Sequence, residues 1–305
     1  MEKGKNINLY LMDGDATGRI KCTIANWTGV VYKIPRSLLD RCKERKELKQ
    51  SGVYLLFGID ENTGKDVVYV GQAGARKNGE GILNRLYEHH GNPEKDYWQD
   101  AVVITTQTDS FGPTEISYLE NQFYNLALKV NRCIVKNNVD PTLGNVTEEK
   151  ECELQEFIEW TKLIIGTMGY RVFTELNSFA QQQEGHGSDE TQLLYLKRTI
   201  KKYGMTTNAT GRQTPEGFVV LKGSTISPGE SSSATPYIIK KRHTVSLDEK
   251  FVLQEDVLFS SPSGAASFVV GGSSDGWREW KTADDRTLRE VETPAGAVTP
   301  LSGKK

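Results

Sequence analysis

Two short apolar runs around one polar turn constrain this 305-residue chain more than any other feature. Gly52-Val53-Tyr54-Leu55-Leu56-Phe57-Gly58-Ile59 is apolar throughout and rich in β-branched and aromatic residues, the pattern of a buried strand. Asp60-Glu61-Asn62-Thr63-Gly64-Lys65-Asp66 then supplies turn-forming residues. Val67-Val68-Tyr69-Val70-Gly71-Gln72 repeats the apolar run. Two such runs so close in sequence predict an antiparallel hairpin. Each strand carries a tyrosine two positions from a glycine: Gly52 before Tyr54, Gly71 after Tyr69.

The segments after the hairpin set the local fold. A Gly-rich loop, Gly74 to Gly81, leads to a helix expected over Ile82 to His90. Ala101 to Thr105 reads as a third strand. A long helix is expected from Pro113-Thr114 to about Val130, with Thr114 as its N-cap. The order β-β-α-β-α over residues 51–135 predicts an α+β unit, a small three-stranded antiparallel sheet flanked by helices. Residues 1–50 read as an N-terminal extension. It holds a β-hairpin (Ile7 to Leu11, a turn at Asp13-Gly14-Asp15, Ile20 to Ile24), then a charged helix over Arg41 to Gln50.

On the other side, residues 136–190 hold an acidic amphipathic helix, Glu148 to Gly166, and a linker at Gln181 to Glu190. Residues 191–292 read as a small α+β C-terminal domain. Its expected elements are a helix from Thr191 to Tyr203, a strand near Gly217 to Gly223 and a basic helix or strand around Lys240-Lys241-Arg242. A helical stretch is expected from Ser263 to Gly271. The Pro/Gly-rich tail, 293–305, is expected to be disordered.

Bulk properties narrow the function. No apolar run reaches the length of a bilayer span, so no membrane helix is expected. The opening Met-Glu-Lys-Gly-Lys has no apolar signal core, which points to a cytoplasmic protein. Cys22, Cys42, Cys133 and Cys152 are scattered with no C-x-x-C pair, so buried thiols are expected and a zinc site is not. The net charge is −2, but its distribution is uneven. Residues 1–50 hold 11 Lys/Arg against 6 Asp/Glu, residues 194–250 hold 10 against 4, and residues 140–190 hold 3 against 11. Two basic zones beside an acidic one suit phosphate contacts, which are local, and equally suit solvated faces or an internal docking of one zone on another.

Five positions carry chemistry. On the long helix, Ile116, Leu119, Phe123, Leu126, Ala127 and Val130 share one face. Glu120 falls inside that stripe, where a carboxylate is costly unless it is paired, hydrogen-bonded or metal-bound. A salt-bridged Glu at the stripe's edge is the simpler alternative. On the shorter helix Arg85 and His89 lie four apart and share a face. Arg offers a forked donor for phosphate and His a proton acceptor near neutrality, although His89-His90-Gly91 also suits a plain helix end. Tyr54 and Tyr69 lie on facing strands, where aromatics are usually core, yet a phenol can act in general acid–base chemistry.

Together these features resemble the GIY-YIG nuclease family. The resemblance rests on Gly52-Val53-Tyr54, Tyr69-Val70-Gly71, an R-x-x-x-H helix and a glutamate on the following long helix. It spans 52–131, roughly a quarter of the chain. The resemblance implies that Tyr54 and Tyr69 are the family's two tyrosines and Gly71 its glycine. It further implies that Arg85 grips phosphate, that His89 assists, and that Glu120 holds one Mg²⁺ or Mn²⁺. Asn131 is the nearest match to the family's asparagine. The activity implied is metal-dependent hydrolysis of DNA; the alternative is a nucleic-acid-binding or interaction module that keeps the fold without turnover. More weakly, NWTGVVYKIPRS and FSSPSGAASFVVGGSSDGWREWK resemble segments of bacterial GIY-YIG proteins that end in a small domain of unknown function. Trp277-Arg278-Glu279-Trp280 is a further cluster, suited either to base stacking or to a small core.

Overall fold

A computed structural model of the chain describes residues 4–61, 63–74, 81–175 and 192–292. The chain divides into two compact units, Met1–Glu175 and Leu176–Lys305. Both mix strands and helices. The linker expected at Gln181–Glu190, the tail after Glu292 and most of the loop between Gly74 and Gly81 lie outside the described residues.

The first unit is built on one seven-stranded sheet. Its strands are β1 (Ile7–Leu11), β2 (Ile20–Ile24), β3 (Gly29–Pro35), β4 (Gly52–Ile59), β5 (Asp66–Ala73), β6 (Trp98–Thr106) and β7 (Ile134–Val135), in the order β1-β2-β3-β6-β4-β5-β7. The expected hairpin is β4–β5, with Tyr54 opposite Gly71 and Leu56 opposite Tyr69. The third expected strand, β6, pairs with β4 on the other side.

The extension over 1–50 is a correction to the sequence reading. It is not a separate unit, because β3 joins β6 from Gly29↔Thr106 to Pro35↔Asp100 and extends the same sheet. The expected three-stranded sheet is therefore part of a larger one. Val30, Val31, Tyr32 and Ile34 are all buried, so this strand is apolar on both faces and is held by burial. The helix expected over Arg41–Gln50 is replaced by two 3-10 turns, Arg36–Cys42 and Lys46–Lys49.

Side chains of β4 alternate between two cores, as the period-two geometry of a strand requires. Val53, Leu55 and Phe57 face the helices α2 (Pro113–Val130) and α3 (Glu148–Thr167). Tyr54 and Leu56 face α1 (Ile82–His90) and the 3-10 turns. The acidic helix α3 belongs to this unit: Leu154, Phe157, Ile158, Ile164 and Ile165 enter its core. Thr147 caps α3 by accepting from the Lys150 amide. The cap of α2 is a second correction. Gly112 holds the N-cap position and Pro113 the first turn, leaving Thr114 inside the helix.

The second unit has a four-stranded sheet in the order β11-β10-β9-β8. The strands are β8 (Leu194–Ile200), β9 (Met205–Thr214), β10 (Gly217–Val220) and β11 (Val257–Phe259). The helix expected from Thr191 to Tyr203 is strand β8 instead. Leu194 and Leu196 point into the core while Tyr195 and Lys197 are exposed, and the segment pairs with β9 from Leu194↔Gly211 to Ile200↔Met205. The basic segment is helical, Pro236–Thr244. Helix Pro262–Val270 supplies Ala265, Ala266, Phe268 and Val269 to the core. Among the described residues no helix is long and apolar enough to cross a membrane.

Candidate functional site

The sequence places glycine at two positions where the backbone admits nothing larger. A Cβ on Gly71 would meet the Tyr54 hydroxyl at 2.3 Å and the ring at 2.4 Å. A Cβ on Gly52 would meet the Ile104 carbonyl at 2.4 Å and Ile82 at 2.6 Å. Tyr54 therefore lies flat across the opposing strand, against Gly71. Its ring is 6.3 Å from that of Tyr69, and each ring is 5.4 Å from His89.

Helix α1 brings Arg85 and His89 to these rings. Ile82, Leu83, Leu86 and His89 form its buried side. The Tyr54 hydroxyl and His89 Nε2 are 2.7 Å apart, a hydrogen bond whose direction follows the imidazole tautomer. Burial, with the charges of Lys95 and Arg85, pushes His89 down to about 4, so the ring is neutral at pH 7. Burial also pushes both phenols up, and the Arg85 guanidinium acts against burial at each. Arg85 pairs with Glu88 one turn along the helix, half-exposed.

Glu120 approaches from α2. It is half-buried, and its charge acts on Tyr54 and Tyr69. Burial raises its pKa; hydrogen bonds from the side chain and backbone of Gln72 and the charge of Arg85 oppose that rise. Gln72 also holds β5 to α2 through Ser117, at 3.1 Å. Glu120 forms no ion pair within the described residues. Tyr54, Tyr69, Arg85, His89 and Glu120 thus form one electrostatically coupled cluster.

Asn131 does not join it. It ends α2 in the left-handed region (φ 52°, ψ 39°), a helix-stop conformation that Asn tolerates. It stands eleven residues beyond Glu120, about 16 Å along the helix. The asparagine that does touch the motif is Asn137, which the sequence reading passed over. Its Oδ1 accepts from the Val70 amide at 3.0 Å and its Nδ2 donates to the Val70 carbonyl at 2.8 Å. It continues the pairing that β7 begins at Val67 and Val68. A second overlooked residue is Lys95, whose Nζ lies 3.2 Å from the centroid of the Tyr69 ring.

Glu120 is the cluster's one carboxylate, half-buried, and as an oxygen donor it is the residue of the cluster that could hold Mg²⁺ or Mn²⁺. Among the described residues no group of three or more His, Cys, Asp or Glu could hold a metal alone.

In the second unit the two tryptophans part. Trp280 is fully buried, donates to the Pro262 carbonyl at 3.0 Å and packs on Phe218 at 4.7 Å, whereas Trp277 is exposed. The basic triplet also divides. Arg242 is buried, donates to the carbonyls of Phe268 and Ser227 and pairs with Glu230 at 3.4 Å. Lys241 donates to the Leu258 carbonyl at 2.5 Å, and Lys240 alone is exposed. In the first unit, Arg19, Lys21, Lys33, Arg36, Arg41 and Lys43 all sit in ion pairs. The basic excess of the first zone is in good part consumed in ion pairs, whereas in the second Lys197, Lys201, Lys202, Lys222, Lys240 and Lys250 are exposed.

The first unit is an α+β domain in which the β4–β5 hairpin and α1 together present two tyrosines, a histidine and an arginine to a glutamate on α2. Residues 199–292, within the second unit, match the family described as Domain of unknown function (DUF4357). No curated protein and no solved structure matches the chain.

Proposed function

We propose that the first unit is a GIY-YIG-type endonuclease that hydrolyses DNA phosphodiester bonds with one divalent metal. The observation that carries this reading is the convergence of Tyr54, Tyr69, His89 and Arg85 with the carboxylate of Glu120, which forms no ion pair among the described residues. Phosphodiester hydrolysis needs an activated water, a grip on the phosphate and stabilisation of the leaving oxygen.

Each residue has a role its environment supports. Arg85 grips the phosphate, leaving its Glu88 partner to do so. Tyr54 orients the attacking water through its hydroxyl. A buried phenol with a raised pKa is not a phenolate at pH 7, and neutral His89, pushed down to about 4, is too weak a base to hold its proton; the 2.7 Å bond to His89 instead fixes the direction of the Tyr54 hydroxyl. Tyr69 walls the site and carries a hydroxyl near Arg85's charge. Glu120 would hold Mg²⁺ or Mn²⁺, which supplies charge neutralisation at the phosphate and the leaving oxygen when bound.

A second reading keeps the site as a binding module without turnover. The Arg85–Glu88 pair and the burial of Tyr54 favour it, since both groups are engaged within the protein. One assay separates the two. Full-length protein is incubated with supercoiled, linear and branched DNA in Mg²⁺, Mn²⁺ or chelator. The nuclease reading expects nicking or cleavage that the chelator abolishes; binding with no cleavage in either metal selects the second reading.

A further inference from the structure

We infer that Lys95 is a second phosphate-binding cation of this site, reaching from the turn after α1 to an anionic oxygen beside the one held by Arg85. The substrate class rests on the nuclease reading above; the geometry stands independently of it.

Lys95 closes the 3-10 turn Pro93–Lys95, just beyond the α1 C-terminus. Its Nζ sits 3.2 Å from the Tyr69 centroid, and it pairs with no carboxylate among the described residues. Most of the neighbouring cations behave differently: Arg36 takes Asp96, Arg85 takes Glu88 and Lys136 takes Asp60. Among the described residues, the groups facing Lys95 offer it no counter-charge. Tyr69 on β5 is a neutral ring, and from α1 come the Arg85 cation and neutral His89, with Glu88 engaged by Arg85. On its own segment Asp96 belongs to Arg36.

A half-buried ammonium without an anion is costly, and an aromatic face offsets only part of the cost. The arrangement becomes favourable when an anionic oxygen arrives between Lys95 and Arg85. A phosphodiester has two nonbridging oxygens and successive phosphates along its strand, so it can meet two cations at once. Burial and Arg85 also push Lys95 down to about 8, the direction that an incoming anion reverses.

The test uses full-length Lys95→Met and Lys95→Arg, checked for unaltered thermal unfolding. Binding of a short fluorescein-labelled DNA duplex is followed by anisotropy over a salt series in chelator. Lys95→Met is expected to make the log–log salt slope shallower by about 0.9, one phosphate contact, and Lys95→Arg to leave it unchanged. On DNA that the wild type cleaves, Lys95→Met is expected to lower kcat/KM about 10- to 100-fold, with partial recovery in Lys95→Arg. The wild-type rate should decline above about pH 8; Lys95→Arg should shift that decline upward and Lys95→Met abolish it. An unchanged slope in Lys95→Met overturns the inference even if the protein cleaves DNA. A shallower slope in a protein that never cleaves keeps Lys95 as a phosphate contact and removes the nuclease reading instead.

Discussion

The Tyr54 hydroxyl and His89 Nε2 lie 2.7 Å apart, the phenol lying against Gly71 and the imidazole neutral. That pair couples the motif strands to α1, and its burial makes it measurable in the stability of the fold. His89 binds a proton near pH 6.5 when unfolded but only near 4 when folded. Between those values the unfolded state holds more protons, so stability falls as pH falls from about 6.5 to 4 and is constant in this respect above and below. His89→Gln should remove that slope. Urea unfolding of both proteins at pH 7 and pH 4.5 should show wild type losing up to about 3 kcal/mol more than the variant. Equal losses would mean that His89 is solvated in the folded state.

Gly71→Ala should damage the same relationship from the opposite strand. Its Cβ would come within 2.3 Å of the Tyr54 hydroxyl and 2.4 Å of the ring, and Tyr54 is packed too tightly to retreat. Overpacking of this kind costs about 1–3 kcal/mol. Denaturant unfolding should report that loss, and DNA cleavage should fall further than stability alone explains. A variant as stable as wild type would show that Tyr54 can leave its place over Gly71.

Legibility in the sequence followed periodicity and spacing. The long helices were readable because their apolar residues repeat with one period over a full element, and the hairpin and β6 because they are unbroken apolar runs bounded by polar, turn-forming residues. The i, i+4 relation of Arg85 and His89 was readable for the same reason, since a helix face is set by geometry alone. Strand β8 was not. Leu194-Tyr195-Leu196-Lys197-Arg198 alternates for only a few residues, and the following lysines fit a helix as well; pairing with β9 decides it. Strand β3 lacks alternation because both faces are buried. Asn137 and Lys95 belong to no spacing rule. Asn137 is defined by the edge of β5 and Lys95 by the Tyr69 ring, and both relations exist only after folding.

The basic helix Pro236–Thr244 should separate stability from binding residue by residue. Arg242 is enclosed, with two carbonyls and Glu230 as partners, so Arg242→Met should lower unfolding stability by about 3 kcal/mol. Lys240 is exposed. If the second unit touches DNA through this helix, Lys240→Ala should leave stability within about 0.5 kcal/mol of wild type and reduce the salt slope of binding by about 0.9. An unchanged slope would assign Lys240 to a solvated surface, and a fully stable Arg242→Met would contradict its burial.

Glu120→Gln should remove activity without removing the fold. The carboxylate is half-buried and forms no ion pair among the described residues, and burial raises its pKa above the ordinary value. The folded state therefore favours the protonated form, and ionising Glu120 as pH rises through its folded pKa costs stability. The isosteric amide avoids that cost while keeping the shape. At pH 7 the variant's Tm should equal or exceed that of wild type, the pattern of a residue kept for function. Cleavage in Mg²⁺ or Mn²⁺ should fall to background, because a neutral amide is a poor substitute for the anionic ligand. Retained cleavage would make Glu120 structural. A large loss of Tm would say the same by another route, showing that the carboxylate stabilises the contact between β5 and α2 through Gln72.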